Sequence, residues 1–208
     1  MISYKIHLLR CGRVAESSEQ LYVGQLDLPL SSGGRAELEC LQKASGYPQI
    51  ERLYASPLIR CVQTAEALYP GHTPRPVTGL MDMGLGEFEG KSLEQLKDLP
   101  EFGAWLQNSQ TNPPPGGELA EDFTARVSGT FNKIVLEMMR ERVQSAALIT
   151  HGGVIMTLMA AVALPRLHLH QWAVDAGCGY TLLTSAQLWM QGGCAEAFAA
   201  IPPAQALD

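Results

Sequence analysis

Apolar residues recur along this chain in two periods. Between Glu118 and Arg142, the residues Phe123, Val127, Phe131, Ile134 and Met138 return at three- and four-residue steps, which predicts a helix with one buried face. Arg35 to Ala44 predicts a second helix, stopped by Gly46. Ser56-Pro57 has the form of an N-cap with proline at the first helical position, opening a helix to about Tyr69. Ser92-Leu93-Glu94-Gln95 matches a capping box, and Gly153 to Ala163 reads as another helix. Short apolar runs bounded by turn residues predict strands at Tyr4 to Leu9, Glu51 to Ala55 and Ala146 to Thr150, then at Gly179 to Ser185, Leu188 to Met190 and Ala195 to Ile201. Asn112-Pro113-Pro114-Pro115-Gly116-Gly117 reads as a loop between helices. Strands alternating with helices predict a three-layer α/β fold: a mostly parallel central sheet with helices on both faces, and an antiparallel edge from the late hairpin-like strands. One domain over residues 1–208 is the expected organisation.

Composition narrows the function classes. Charged residues make up 17%, below the usual ~25%, which argues against disorder and coiled coils. The net charge of −6 disfavours a nucleic-acid partner, which needs a basic face. A few converging arginines could still form a local anion pocket. The five cysteines are widely spaced without a CxxC pair, so neither a zinc site nor a thioredoxin-type motif is indicated, and a reduced, cytoplasmic setting is expected. Lys5 and His7 interrupt the first apolar run, which does not read as a signal peptide. The run after His151 ends at Pro165, too short for a bilayer, so no membrane partner is expected. Pro202 to Asp208 reads as a frayed tail.

In α/β folds, ligands bind beyond the carboxyl ends of the strands. Arg10-Cys11-Gly12 follows the first predicted strand, Ser56-Pro57-Leu58-Ile59-Arg60 the second, and Thr150-His151-Gly152-Gly153 the third. Arg60 falls in a first helical turn, where free N–H groups favour an anion. A guanidinium matches phosphate bidentately. Together these residues predict a phosphate pocket. Elsewhere, His7 alternates with apolar neighbours and reads as packing. His72 sits in a Pro/Gly loop that could face substrate. His168 and His170, two residues apart, share no helix face. Cys178 reads as packing.

These segments resemble the histidine phosphatase superfamily, the phosphoglycerate-mutase-like phosphatases. Leu8-Leu9-Arg10-Cys11-Gly12 is similar to that family's Arg-His-Gly strand end. Tyr22 to Leu30 with Gly34, Ser56 to Ala65, Leu80 to Gly90, Pro115 to Glu118 and Thr150 to Ile155 are similar to its further motifs. Within the family, the short chain looks most like the α-ribazole phosphatase branch. The resemblance implies a metal-free, cofactor-free phosphomonoester phosphatase, with α-ribazole 5'-phosphate as the candidate substrate. Arg10 and Arg60 would hold the phosphate, His151 would donate to it and stabilise developing charge, and Ser17 would add a hydrogen bond. Asp82 would be the general acid, with Glu87 as runner-up, and Trp105 lies in the segment that covers the pocket. The implied partners are a small phosphorylated substrate or inorganic phosphate, with a homodimer left open.

The departures matter as much. Cys11 stands where the family has its nucleophilic histidine, and a thiolate there would fall about 2 Å short of the ring nitrogen. The Cys-x5-Arg loop of cysteine phosphatases is absent, since Ser17 stands where its arginine would be. Arg13, Ser17, Asp82 and Met156 stand where Glu, Asn, Glu and Arg are common in the family. A phospho-ligand-binding protein that lost its chemistry is therefore the alternative. A mutase is a second alternative, disfavoured by the short chain.

Overall fold

The computed structural model describes residues 2–14 and 21–202. Ser17 and the end of the predicted tail lie outside the described residues. The chain runs β1 (Ser3–Arg10), β2 (Leu21–Tyr22), α1 (Ser32–Ser45), β3 (Arg52–Ala55), α2 (Ile59–Leu68), β4 (Arg75–Pro76), β5 (Lys91–Ser92), α3 (Leu93–Leu96), α4 (Pro100–Gln107), α5 (Ala120–Glu141), β6 (Ser145–Thr150), α6 (Gly152–Val162), β7 (Ala163–Leu164), β8 (Gly179–Ser185), α7 (Ala186–Gly192) and β9 (Ala195–Ile201).

Seven strands form one sheet in the order β4-β3-β6-β1-β8-β9-β7. The pairs β3–β4, β3–β6, β1–β6 and β7–β9 are parallel, whereas β1–β8 and β8–β9 are antiparallel. The sheet is mostly parallel, as the alternation predicts. The antiparallel strand β8 lies inside it rather than at the edge, because β9 continues the sheet and β7 pairs onto β9. The backbone of Leu8 comes so close to Gly179 that a Cβ there would sit 1.7 Å from Leu8 O, so only glycine fits at the start of β8.

Side-chain alternation sorts the core into two faces. Ile6 and Leu8 of β1, Tyr54 of β3, and Ala146 and Leu148 of β6 pack with Phe123, Val127, Phe131, Ile134 and Met138 of α5 and with Val154, Ile155 and Leu158 of α6. Leu9, Leu53, Ala55, Ala147 and Ile149 face the other way, against Leu38 of α1 and Cys61, Ala65 and Leu68 of α2. Cys11 belongs to this second face. The apolar stripe read on α5 is thus the buried one.

Two local expectations are corrected. Leu188–Met190 is not a strand but the middle of α7, which Ser185 Oγ caps by accepting from Leu188 N at 3.2 Å. Three apolar residues carry too little periodicity to separate the two states. Helix α2 starts at Ile59, not Pro57, and its first amide is capped from a distant segment: Ile59 N donates to Asp27 Oδ1 at 2.7 Å. Ser56 Oγ keeps a long bond from Leu58 N, at 3.5 Å, and lies closer to His151 Nε2, at 3.0 Å. The predicted capping box is present, with Ser92 N donating to Gln95 Oε1 at 2.9 Å.

His7 is 2% exposed and sits between Thr181 Oγ1 at 3.0 Å and Ser145 Oγ at 3.2 Å. Burial, aided by Lys5, lowers its pKa to about 4. The unfolded chain then binds a proton near pH 6.5 that the folded one refuses until about pH 4. This contribution to stability is fully present above pH 6.5 and is lost as pH falls between those values. Urea melts should therefore show stability falling from pH 6.5 to pH 4.5, with a shallower slope in His7→Gln; equal slopes would contradict the assignment.

Candidate active site

Three adjacent parallel strands end together. Arg10 pairs with Thr150, and Ala55 with Ile149, across the β1–β6 and β3–β6 ladders. The ladders continue one step beyond: Cys11 N donates to Thr150 O at 2.8 Å, and Ser56 N to Ile149 O at 2.9 Å. Cys11, His151 and Ser56 are thus set side by side at the carboxyl edge of the sheet. His151 is 2% exposed. Its Nε2 lies 3.0 Å from Ser56 Oγ, and its Nδ1 lies 3.7 Å from Cys11 Sγ and 3.9 Å from Asp82 Oδ2.

Arg10, Cys11, Gly12, Arg60, Asp82, His151 and Gly152 line one cavity of about 130 Å³. That is well below the roughly 300 Å³ or more of a pocket that engulfs a drug-sized ligand. It suits a small head group, with the remainder of a ligand outside.

Arg60 is 3% exposed. Its guanidinium donates to Leu26 O at 2.8 Å and to Gly24 O at 2.7 Å. Gly24 has φ +51°, and a Cβ there would meet Glu89 Oε1 at 2.5 Å, so the turn that aims this carbonyl requires glycine. Two of five N–H donors are engaged there. Among the described residues no carboxylate forms an ion pair with Arg60 or with Arg10. A buried cation whose partners among the described residues are backbone carbonyls is poised for an anion. Arg10 is exposed, anchored by donating to Val174 O at 2.6 Å, and its guanidinium lies over Gly152.

Asp82 is held from behind. Arg126 donates to Asp82 O at 3.1 Å and to Glu118 Oε2 at 2.7 Å, while Gln25 Nε2 donates to Asp82 O at 2.9 Å. Burial raises the Asp82 pKa, outweighing the opposing pull of His151 and of the Met83 amide. Glu87 is exposed and lies outside the cavity lining, whereas Asp82 lines it.

Sequence reasoning passed over Cys61. It projects from the first turn of α2 onto the face that holds Cys11, and its Sγ is 3.5 Å from His151 Nε2 and 3.9 Å from Nδ1. Hydrogen bonding from Cys61 is the main force holding the Cys11 thiol well below its ordinary pKa, with His151 and Arg60 adding to it. Burial pushes the Cys61 thiol up. The signal was present in Arg60-Cys61, but only the phase of α2 and the register of β1 turn it into a contact. Glu118 and Arg126 were likewise legible only as a motif end and a helix residue.

Other candidates fall elsewhere. His72 lies against Ile50 O at 3.3 Å beside Tyr69, away from the cavity. Trp105 packs with Tyr22, Phe88 and Phe102. Met156 packs against the α5–α6 core. Arg13 is the exception: it lines the cavity while pairing with Glu37 at 3.0 Å.

Comparison with known proteins agrees with this architecture. The chain is 28% identical over 187 residues to a glucosyl-3-phosphoglycerate phosphatase of Mycobacterium tuberculosis, covering 86% of this chain and 83% of that one. It is 24% identical over 180 residues to the adenosylcobalamin/alpha-ribazole phosphatase of Escherichia coli, covering 84% and 87%. The crystal structure of an alpha-ribazole phosphatase from Shigella flexneri shares the fold, with a TM-score of 0.74 at 22% identity over 86% of this chain and 89% of that chain. The family model for the histidine phosphatase superfamily, branch 1, matches residues 6–190, and the chain belongs to that family.

Proposed function

We propose that this chain takes up small phosphomonoesters in the cavity at the sheet edge, with Arg10, Arg60 and His151 on the phosphoryl oxygens and Cys11 at the nucleophile position. The observation that carries this reading is the convergence of those side chains with Asp82 on one cavity, around a buried guanidinium that no carboxylate among the described residues pairs with. Ser17, expected as a further hydrogen-bond donor, is outside the described residues. α-Ribazole 5'-phosphate is the first substrate to test, because alpha-ribazole phosphatases are among the relatives. The glucosyl-3-phosphoglycerate phosphatase likeness makes phosphorylated sugar acids the second.

In this scheme Cys11 Sγ attacks phosphorus, the P–O bond to the leaving alcohol breaks, and protonated Asp82 gives its proton to the departing oxygen. The raised pKa of Asp82 suits that role. Water then attacks phosphorus, the S–P bond breaks to return the Cys11 thiolate, and the water's proton passes to the Asp82 carboxylate, while the arginines and His151 stabilise charge on the equatorial oxygens. The weak step is the first. Cys11 Sγ sits directly on Cβ and is drawn into the crowded junction with Cys61 and His151. In-line attack depends steeply on placement: a misplacement of ~1 Å costs on the order of 100-fold. Ionising the thiol improves the attacking atom but not its position. The same observation favours a second reading, in which the pocket holds phosphorylated ligands and turns them over slowly or not at all.

Two measurements separate these readings. A phosphate-release panel should show slow hydrolysis by the unaltered chain and a gain of at least ~100-fold in Cys11→His. Robust turnover by the unaltered chain, lost in Cys11→Ala, would contradict the distance argument; no gain in Cys11→His with phosphate binding intact would favour the binding protein. Inorganic phosphate should also raise the melting temperature by mass action, and Arg60→Ala should remove most of that rise. A rise left intact in Arg60→Ala would exclude Arg60 as a phosphate ligand.

A further inference from the structure

Cys11 Sγ, Cys61 Sγ and a ring nitrogen of His151 all lie within 4.8 Å of one another, and all three residues are buried. We infer that they form a three-donor site for a thiophilic divalent cation of the zinc or cadmium type. Tetrahedral zinc, with Zn–S of about 2.3 Å and Zn–N of about 2.0–2.1 Å, needs sulfur–nitrogen separations of about 3.6 Å. His151 Nδ1 is 3.7 Å from Cys11 Sγ and 3.9 Å from Cys61 Sγ, with Cys61 Sγ nearer Nε2 at 3.5 Å, so a shift of the Cys61 side chain toward Nδ1 is what brings all three donors onto one ion.

The surroundings are those of a ligating histidine. Nε2 faces Ser56 Oγ at 3.0 Å. With its proton directed to that hydroxyl, Nδ1 is left unprotonated and able to ligate, 3.7 Å from Cys11 Sγ, while Cys61 Sγ lies beside the ring; the outer partner fixes the tautomer and ring orientation. Two thiolates neutralise the charge of a divalent ion, and the nearby Arg60 guanidinium favours the thiolate forms. Cys11 and His151 line the cavity whereas Cys61 lies behind them, so the fourth position opens on the cavity, which also gives the ion a route in. Three protein donors with an open fourth position is the arrangement of a reactive metal site rather than a closed structural one. Occupied, the site withdraws Cys11 and His151 from phosphoryl chemistry, so such a cation blocks the pocket.

The site does not rest on the phosphatase reading, and its test uses no phosphoester. The reduced full-length chain is titrated with cadmium alone, following the ultraviolet thiolate-to-metal charge-transfer band and the melting temperature. The expected result is saturation at one equivalent with a rise in melting temperature. Binding should weaken by more than about 100-fold in both Cys61→Ala and Cys11→Ser, the upper end for losing even an outer-shell partner. Cys40→Ser, at the exposed cysteine, should change nothing. Thermal melts of each variant without metal establish that it folds, and Cys11→Ser keeps the test decisive if Cys61→Ala does not. No band in the unaltered chain, or a band that survives in a folded Cys11→Ser or is lost in Cys40→Ser, would overturn the inference.

Discussion

The site depends on the register between β1 and β6. Because Arg10 lies opposite Thr150 in a parallel ladder, the next residues, Cys11 and His151, must emerge side by side. A shift of one residue would turn Cys11 to the α5–α6 face and separate it from both His151 and α2. The register is protected by burial on both faces, since the strands contribute Ile6, Leu8, Leu148 and Ile149 at 0% exposure to cores above and below. The chemistry at the rim is thus set by packing many residues away.

Around that edge the protein invests in holding charge. Leu26 O and Gly24 O tether Arg60, Asp27 caps its helix, and the Arg126–Glu118 pair fixes the loop that carries Asp82. None of these supporting groups lines the cavity. They explain why the Tyr22–Leu30 and Pro115–Glu118 motifs accompany the arginines: they hold Arg60 and Asp82, which line the cavity. An anion in the cavity would supply the negative partner that the described carboxylates do not give Arg60. Within this frame Cys11 is the odd element, shorter than a histidine and surrounded by Cys61 and His151.

The long-period features were legible in the sequence. The α5 stripe, the three parallel strands and the residues that follow them come from patterns that local physics dictates. Arg10, Cys11, Arg60, Asp82 and His151 were all named and all reach one cavity. What the sequence hid was whatever needed two distant segments in register. Cys61 meets Cys11 only through the phase of α2, and a search for closely spaced cysteine pairs cannot find donors assembled from three elements. Asp27 caps α2 from 32 residues away, displacing the local signal at Ser56-Pro57. The interior place of β8 follows from long-range pairing, and α7 was too short for periodicity to speak.

In the proposed arrangement the limit is distance: an arginine cradle would place phosphorus where a histidine nitrogen would reach it and the Cys11 sulfur would not. A crystal structure of the chain with inorganic phosphate tests this most directly. The account predicts phosphate between the Arg10 and Arg60 guanidinium groups, in hydrogen-bond reach of His151, with Cys11 Sγ clearly farther from phosphorus than the ~3.5 Å limit of a near-attack arrangement. A phosphate bound outside this cavity, or a sulfur in line with phosphorus inside that limit, would contradict it.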